Sequence, residues 1–437
     1  MKTSSAICSN NRRSYTCAQL ALLTATILFA TTGAALADDS LWFSYAKKPD
    51  VSLAPAPAFN TKKNALSLPE QVGSATRLPD RWTQATLDLI IKYQLNPLRA
   101  ARVLAYVHAA MDDAMTLAVR NGLAEEAVVI GLHRAASTTL GYFFPQEAQD
   151  KIEAMGFAEI TQLKVHAAIS DAQAQKAWLT GNQVAAAAIG RARDDGADAT
   201  WNPNNRPKAA PHIWRATPPL LIYNPAEPMA GTWQTWNLRD SAEIQPPPPL
   251  EYGSKEFWKE VEQVKTVTDK LTAEQKRIAE EWNLDLGTVS PGGVWNKVAL
   301  KIAQEEKLNL RERLRLFAAL DTALADAFIA CWKAKYTWWS VRPISVIQEK
   351  LDPKFAPHIL TPAFPSYPSG HATISGAAST VIGHFVPSRK SEVDRMAEQA
   401  ALSRLYGGIH FTSDNDQGLE LGRRIGNRAI ERRLSKR

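Results

Sequence analysis

"NLRERLRLFAALDTALADAFIACWKAKYTW", residues 309–338, decides the fold. Its apolar residues recur at helical spacing over a length that only a central helix would need. On both sides the same periodicity continues. "DRWTQATLDLIIKYQ" (80–94) starts at a plausible Asp80 cap. "NPLRAARVLAYVHAAMDDAMTLAV" (96–119) places Pro97 in its first turn and aligns Leu98, Val103, Leu104, Val107, Met111 and Ala114 on one face. Alanine-rich segments near 134–140, 164–176 and 181–193 read as further helices. Downstream, helices are expected at 254–267, from Thr272 with Gln275 completing a capping box, at 371–385, at 390–406 and at 414–434. Alternating strand patterns are missing from the sequence. The expected fold class is therefore all-α, with two helical bundles.

Between the two halves the composition changes. Residues 201–249 hold eleven of the 26 prolines and end in Pro246–Pro249. Such a segment supports neither regular helix nor central strand, and reads as a long ordered loop packed down by its tryptophans. The expected organisation is a leader at 1–37, an N-terminal helical region with the proline-rich loop at 38–249, and a C-terminal helical domain at 250–437.

The leader has a basic start, Lys2, Arg12 and Arg13, and then "LALLTATILFATTGAALA" (20–37), an apolar run closing on small residues. It reads as a signal peptide cut after Ala37, for a periplasmic or secreted product. An uncleaved anchor helix is the alternative, although the run is short for a span. Arg12-Arg13 leaves twin-arginine export open beside the general route. Cleavage would lower the net charge from +7 to +4 and remove Cys8 and Cys17, leaving Cys331 as a buried small hydrophobe without a disulfide partner. The 45% hydrophobic and 22% charged content is that of a globular chain. The basic run "GRRIGNRAIERRLSKR" (422–437) suits a solvated helix C-terminus, and no nucleic-acid motif accompanies it.

Chemistry gathers in the last quarter. Lys335 and Arg342 are separated by six residues and Pro343 follows; then come Ser369, Gly370 and His371; then Ser403, Arg404, His410 and Asp414. If these converge, three cations surround a helix N-terminus that carries a hydroxyl. That set suits a tetrahedral oxyanion. One histidine could bond its central atom while the other moves a proton. Asp414 could fix the tautomer of His410, and Gly407-Gly408 would break the preceding helix and turn His410 inward. Asp112 and Asp113 sit on adjacent helical positions about 100° apart and make a poor metal pair. His108 and His166 read as packing or surface residues in helices, His384 as a helix end, and His133, His212 and His358 as loop or near-loop residues.

In this order, Lys-x6-Arg-Pro, Pro-Ser-Gly-His and Ser-Arg-x5-His-x3-Asp resemble the signature of the superfamily joining vanadium-dependent haloperoxidases with type 2 phosphatidic acid phosphatases and bacterial acid phosphatases. "NPLRAARVLAYVHAAMDDAM" and "PHIWRATPPLLIYNPAEP" (211–228) look like the two-bundle bacterial haloperoxidase-like members. The resemblance implies vanadate as cofactor, or phosphate in the same pocket. It implies that Lys335, Arg342, Ser369, the Gly370 N–H and Arg404 bind oxyanion oxygens, that His410 is the axial vanadium ligand or phosphoryl acceptor, that His371 is the acid–base partner, and that Asp414 orients His410. Trp332 and Phe364 look like halide-side residues of chloroperoxidase-type members, and are equally readable as core.

Three functions stay open. A haloperoxidase would use hydrogen peroxide to oxidise halide. An exported phosphatase would hydrolyse a phosphate ester, lipid or soluble, through a phosphohistidine. A non-catalytic protein would bind the oxyanion only, but would have no need of an acid–base histidine.

Overall fold

The computed structural model describes residues 41–45, 50–56, 77–166 and 169–434, which therefore excludes the expected leader with its cleavage site, Cys8 and Cys17. The described residues contain thirteen α-helices. The first five are α1 (Leu78–Lys92), α2 (Pro97–Arg120), α3 (Glu125–Phe143), α4 (Ala154–His166) and α5 (Asp171–Asp194). After the proline-rich loop come α6 (Lys255–Asp269), α7 (Ala273–Glu281), α8 (Ser290–Glu305) and α9 (Leu310–Trp338). The chain ends with α10 (Pro343–Lys350), α11 (Gly370–Phe385), α12 (Lys390–Tyr406) and α13 (Thr412–Leu434). Among the described residues, β structure amounts to an isolated antiparallel bridge between Ile213 and Ser340. No described helix is long and apolar enough to cross a membrane.

Local chemistry sets the helix starts. The Asn96 side chain accepts from Leu98 N and Arg99 N ahead of Pro97. Thr272 and Gln275 form the expected capping box, and Asn309 and Glu312 form a second one at the head of α9. Helix α9 is buried on nearly every side and serves two hydrophobic clusters. Leu316, Phe317, Leu320, Leu324 and Phe328 join the C-terminal cluster, whereas Leu314, Ala318 and Ala325 join the N-terminal one. Each buried leucine or phenylalanine contributes roughly 1.5–3 kcal/mol. The two clusters thus meet along one helix, and the described residues form one compact unit.

Polar groups cross that core in matched sets. His108 Nδ1 meets Asp321 Oδ2 at 2.5 Å, its Nε2 meets Thr83 Oγ1 at 2.8 Å, and Asn296 Nδ2 donates to Asp321 Oδ1 at 2.6 Å. This relay ties α1, α2, α8 and α9 together. Asp326 on α9 accepts from Trp236 N and Asn237 N, both at 2.7 Å, which anchors the proline-rich loop. The loop buries Trp214, Trp233 and Trp236. Asp113 accepts from Trp42 N at 2.8 Å, Phe43 N at 3.1 Å and Tyr45 Oη at 2.9 Å, and Asp112 accepts from Trp42 Nε1 at 2.9 Å. The adjacent carboxylates are thus used to hold the segment 41–45.

Several expectations need correction. The segment 164–176 is not one helix: α4 ends at His166, and Ser170 opens α5 by accepting from Gln173 N. Its side chain competes with the helical backbone, as an N-cap serine does. His133 is not in a loop. It is buried within α3, where Trp82 Nε1 donates to its Nδ1 at 3.2 Å. Asp80 is not a cap but lies in the first turn of α1, which starts at Leu78. Helices α4, α8 and α10 are additions, α8 being hidden by Pro291-Gly292-Gly293. The pair reads as a turn, but Gly293 serves packing, since a Cβ there would lie 2.8 Å from Leu87 Cδ2. The side chain of His166 lies outside the described residues.

Candidate active site

Three connections deliver the chemistry to one place. Helix α9 ends at Trp339 in a left-handed conformation, φ 48°, just after Lys335. The chain then pairs with the proline-rich loop, Val341 N donating to His212 O at 2.9 Å and Trp214 N to Trp339 O at 2.6 Å. Arg342 is the N-cap residue of α10, with Pro343 following at the position where no N–H is needed. Ser369 caps α11. Gly408, at φ +74°, turns the chain after α12 so that His410 and then α13 follow. Helices α11 and α13 touch backbone to backbone: a Cβ on Gly422 would lie 1.9 Å from Thr373 O.

Lys335 is fully buried and donates to three carbonyls, Pro365 O at 2.9 Å, Ser366 O at 2.7 Å and Pro368 O at 2.6 Å. Two of those residues are prolines, which offer acceptors without donors. Arg342 donates through Nε to Phe364 O at 2.9 Å and through Nη1 to Ile409 O at 2.8 Å. Its Nη1 also lies 3.1 Å from His410 Nε2. His410 Nδ1 meets Asp414 Oδ2 at 2.8 Å. Since Arg342 can only donate, His410 Nε2 holds the lone pair and Nδ1–H is given to Asp414. Asp414 Oδ2 also accepts from Ser366 Oγ at 2.5 Å and from Phe411 N at 3.3 Å, and its backbone O accepts from Ser369 N at 2.9 Å. Arg404 donates to Ser403 Oγ at 3.1 Å. Ser369 Oγ accepts from Ala372 N at 3.5 Å, so its proton remains to donate.

Among the described residues, two buried side-chain nitrogens of this site have no hydrogen-bond partner, Arg342 Nη2 and His371 Nε2. On the apolar side, the rings of Trp332 and Phe364 lie 4.9 Å apart. Lys335 Nζ sits 5.6 Å and 5.1 Å from their centroids, and the Arg342 guanidinium sits 5.0 Å from that of Phe364. Trp332 Nε1 is committed to Ala226 O at 3.2 Å. Gly370, the first residue of α11, packs against the Trp332 ring.

Burial dominates the electrostatics. It pulls Arg342 down to about 10 and, with Arg342 adding repulsion, Arg404 to about 9, so both stay charged at neutral pH. Burial also lowers Lys335. His410 is held well below its ordinary range by burial and then by Arg342, Lys335, Arg404 and His371. His371 is lowered by burial and then by Arg404. Both imidazoles are therefore neutral without an anion. Asp414 is pushed up by burial, against the lowering effect of the Ser366 hydroxyl. Cationic, with two neutral imidazoles and an unpartnered guanidinium nitrogen, the site has the chemistry to accept an oxyanion.

Every residue singled out from the sequence, Trp332, Lys335, Arg342, Phe364, Ser369, Gly370, His371, Arg404, His410 and Asp414, lies in this one region. Sequence reasoning missed Ser366 and the carbonyl turn that grips Lys335. The available signal was the serine between Pro365 and Pro368.

The model of the VCPO second helical-bundle domain matches residues 315–394 and 389–436, which include all these residues. The C-terminal bundle is thus similar to that domain, over a stretch that runs from within α9 through α13. The chain is similar to the vanadium chloroperoxidase of Curvularia inaequalis, with 30% identity over 150 residues. That match covers 28% of this chain and 25% of that protein, so the chain aligns with a quarter of its length. In fold, it is similar to the crystal structure described as the first bacterial vanadium-dependent iodoperoxidase, with a TM-score of 0.67 and 23% identity over 81% of this chain and 95% of that one. An apo-type bacterial vanadium-dependent chloroperoxidase gives a TM-score of 0.59 at 17% identity, over 78% and 95%.

Proposed function

We propose that the protein is a vanadium-dependent haloperoxidase, binding vanadate and using hydrogen peroxide to oxidise halide. The observation that carries the reading is the unpartnered Arg342 Nη2 donor and the unpartnered His371 Nε2, both buried, beside the lone pair of His410. Buried polar atoms without partners are costly, and a tetrahedral oxyanion carrying a proton would satisfy both, accepting from Arg342 and donating its O–H to His371 Nε2. The residues therefore fit the group. Lys335, Arg342, Arg404, Ser369 and the Gly370 N–H would hold its oxygens, and His410 Nε2 would ligate vanadium. When bound, vanadate supplies an electron-poor centre at which hydrogen peroxide oxidises halide to hypohalous acid.

The chain's own residues do the rest. Asp414 holds the proton on His410 Nδ1 and so keeps Nε2 available. His371 holds or releases a proton at Nε2. Trp332 and Phe364 exclude water from one side of the site. That apolar wall, and the two-bundle fold shared with haloperoxidase structures, favour this chemistry over phosphate-ester hydrolysis. Export by the leader at 1–37 belongs to the same reading.

The test uses purified protein loaded with orthovanadate and a phenol acceptor, with iodide, bromide and chloride in turn. The expected result is halogenation that needs vanadate, peroxide and halide together, and that disappears in His410→Ala. Vanadate demonstrably bound without halogenation, together with phosphatase activity lost in His410→Ala, would transfer the site to the phosphatase reading.

A further inference from the structure

Asp414 also lines a cavity of about 410 Å³ that the cations and histidines of the oxyanion site do not line. That volume is in the range of small-molecule sites. Its aromatic lining includes Tyr252, Phe257, Trp338 and Phe411. Three of these rings form a continuous wall, with Tyr252 and Phe257 centroids 4.8 Å apart and Phe257 and Phe411 centroids 5.5 Å apart. Trp338 stands at the rim, 37% exposed.

The charges in this cavity have one sign. Glu251, Glu260 and Asp414 line it, Asp414 already being paired with His410; of basic side chains only His212 lines it among the described residues, and no lysine or arginine does, although the chain as a whole carries +7. Glu260 is fixed rather than free, accepting from Ser413 N at 3.0 Å and from Ser413 Oγ at 2.7 Å. It has no ion pair among the described residues, and burial pushes its carboxyl up. Glu251 is exposed and makes no side-chain hydrogen bond or ion pair among the described residues. Aromatic faces combined with uncompensated carboxylates are the chemistry that recognises an organic cation.

We propose that this cavity binds a small organic ammonium, its charge paired with Glu251 and Glu260 and its apolar body against the rings. The proposal goes beyond the haloperoxidase reading and stands whether or not that reading does. An anion would be repelled by the carboxylates. The cationic oxyanion site would in turn repel the ammonium, so the two sites are chemically separable.

The test titrates the full chain with 3-phenylpropylammonium, the neutral 3-phenylpropanol and the anionic 3-phenylpropanoate, read by calorimetry and tryptophan fluorescence. The expected order is ammonium over alcohol by about tenfold, with the carboxylate weakest, and unaffected by saturating orthovanadate. In Glu251→Gln combined with Glu260→Gln the ammonium preference should vanish while the alcohol binds as before. The single Glu251→Gln, at an exposed position, should lose part of the preference without any effect on folding. Equal binding of ammonium and alcohol, a preference that survives the double substitution, or no binding of any probe at millimolar concentration would each overturn the proposal.

Discussion

At the scale of single residues, the most informative side chain is one whose own chemistry is modest. Ser366 gives its hydroxyl proton to Asp414 Oδ2 at 2.5 Å while its carbonyl accepts from Lys335. It thus joins the carboxylate that orients His410 to the cation behind it. Ser366→Ala should leave the fold intact, yet reduce vanadate affinity or turnover about 10- to 100-fold, as loss of outer-sphere partners of a ligating histidine does. Vanadate titration beside steady-state halogenation checks this, and an unchanged pair of values would refute it. The cations, histidines and Asp414 were legible in the sequence because their residue types and spacings have a joint chemical meaning. Ser366 was not, since a serine among prolines is ordinary turn composition. The acceptors of Lys335 were not either, since a carbonyl has no side-chain identity.

Among elements, the seam between α11 and α13 positions the site. The first carries Ser369 and His371 and the second carries Asp414. Their approach depends on Gly422, where a Cβ would fall 1.9 Å from Thr373 O. Gly422→Ala should force the helices apart, destabilising the protein by about 1–3 kcal/mol and lowering activity with it. Thermal unfolding together with the halogenation assay would show both, and a stable, fully active variant would exclude the idea. The segment 41–45 gives a pH prediction. Burial lifts Asp113 to about 7 in the folded protein despite its three donors. The unfolded chain releases that proton at about 4. The folded state therefore binds the extra proton between these values, and this group's contribution to stability falls as pH rises through about 7. Asp113→Asn does not titrate, so its melting temperature relative to the parent should improve from pH 5 to pH 8. A constant gap would reject this. Helix periodicity revealed most elements but missed α4, α10 and α8, the last because a glycine needed for close packing, Gly293, looks like a turn until its neighbour Leu87 is known.

For the whole molecule, α9 is shared property. Its Leu314, Ala318 and Ala325 complete the N-terminal cluster while its opposite residues complete the C-terminal one. The proline-rich loop supplies His212 and Trp214 backbone partners to the chain just before Arg342, and Ala226 O to Trp332 and to Tyr336. A fragment starting at Tyr252 would retain every candidate site residue but expose one side of α9. It should be molten, with helical far-ultraviolet dichroism, weak near-ultraviolet dichroism and strong dye binding. A cooperatively folding, vanadate-binding fragment would contradict this. Sequence periodicity shows that a helix has an apolar face but not how many partners will claim it, so the sharing of α9 became visible only in three dimensions.

The unpartnered Arg342 Nη2 and His371 Nε2 also bear on how the protein must be handled. On the proposed reading these atoms respond to any tetrahedral dianion, and phosphate is the commonest in culture media and buffers. Protein prepared from such media would arrive already inhibited and look inert in an otherwise correct assay. Exhaustive dialysis into a phosphate-free buffer would then decide whether its chemistry is seen at all.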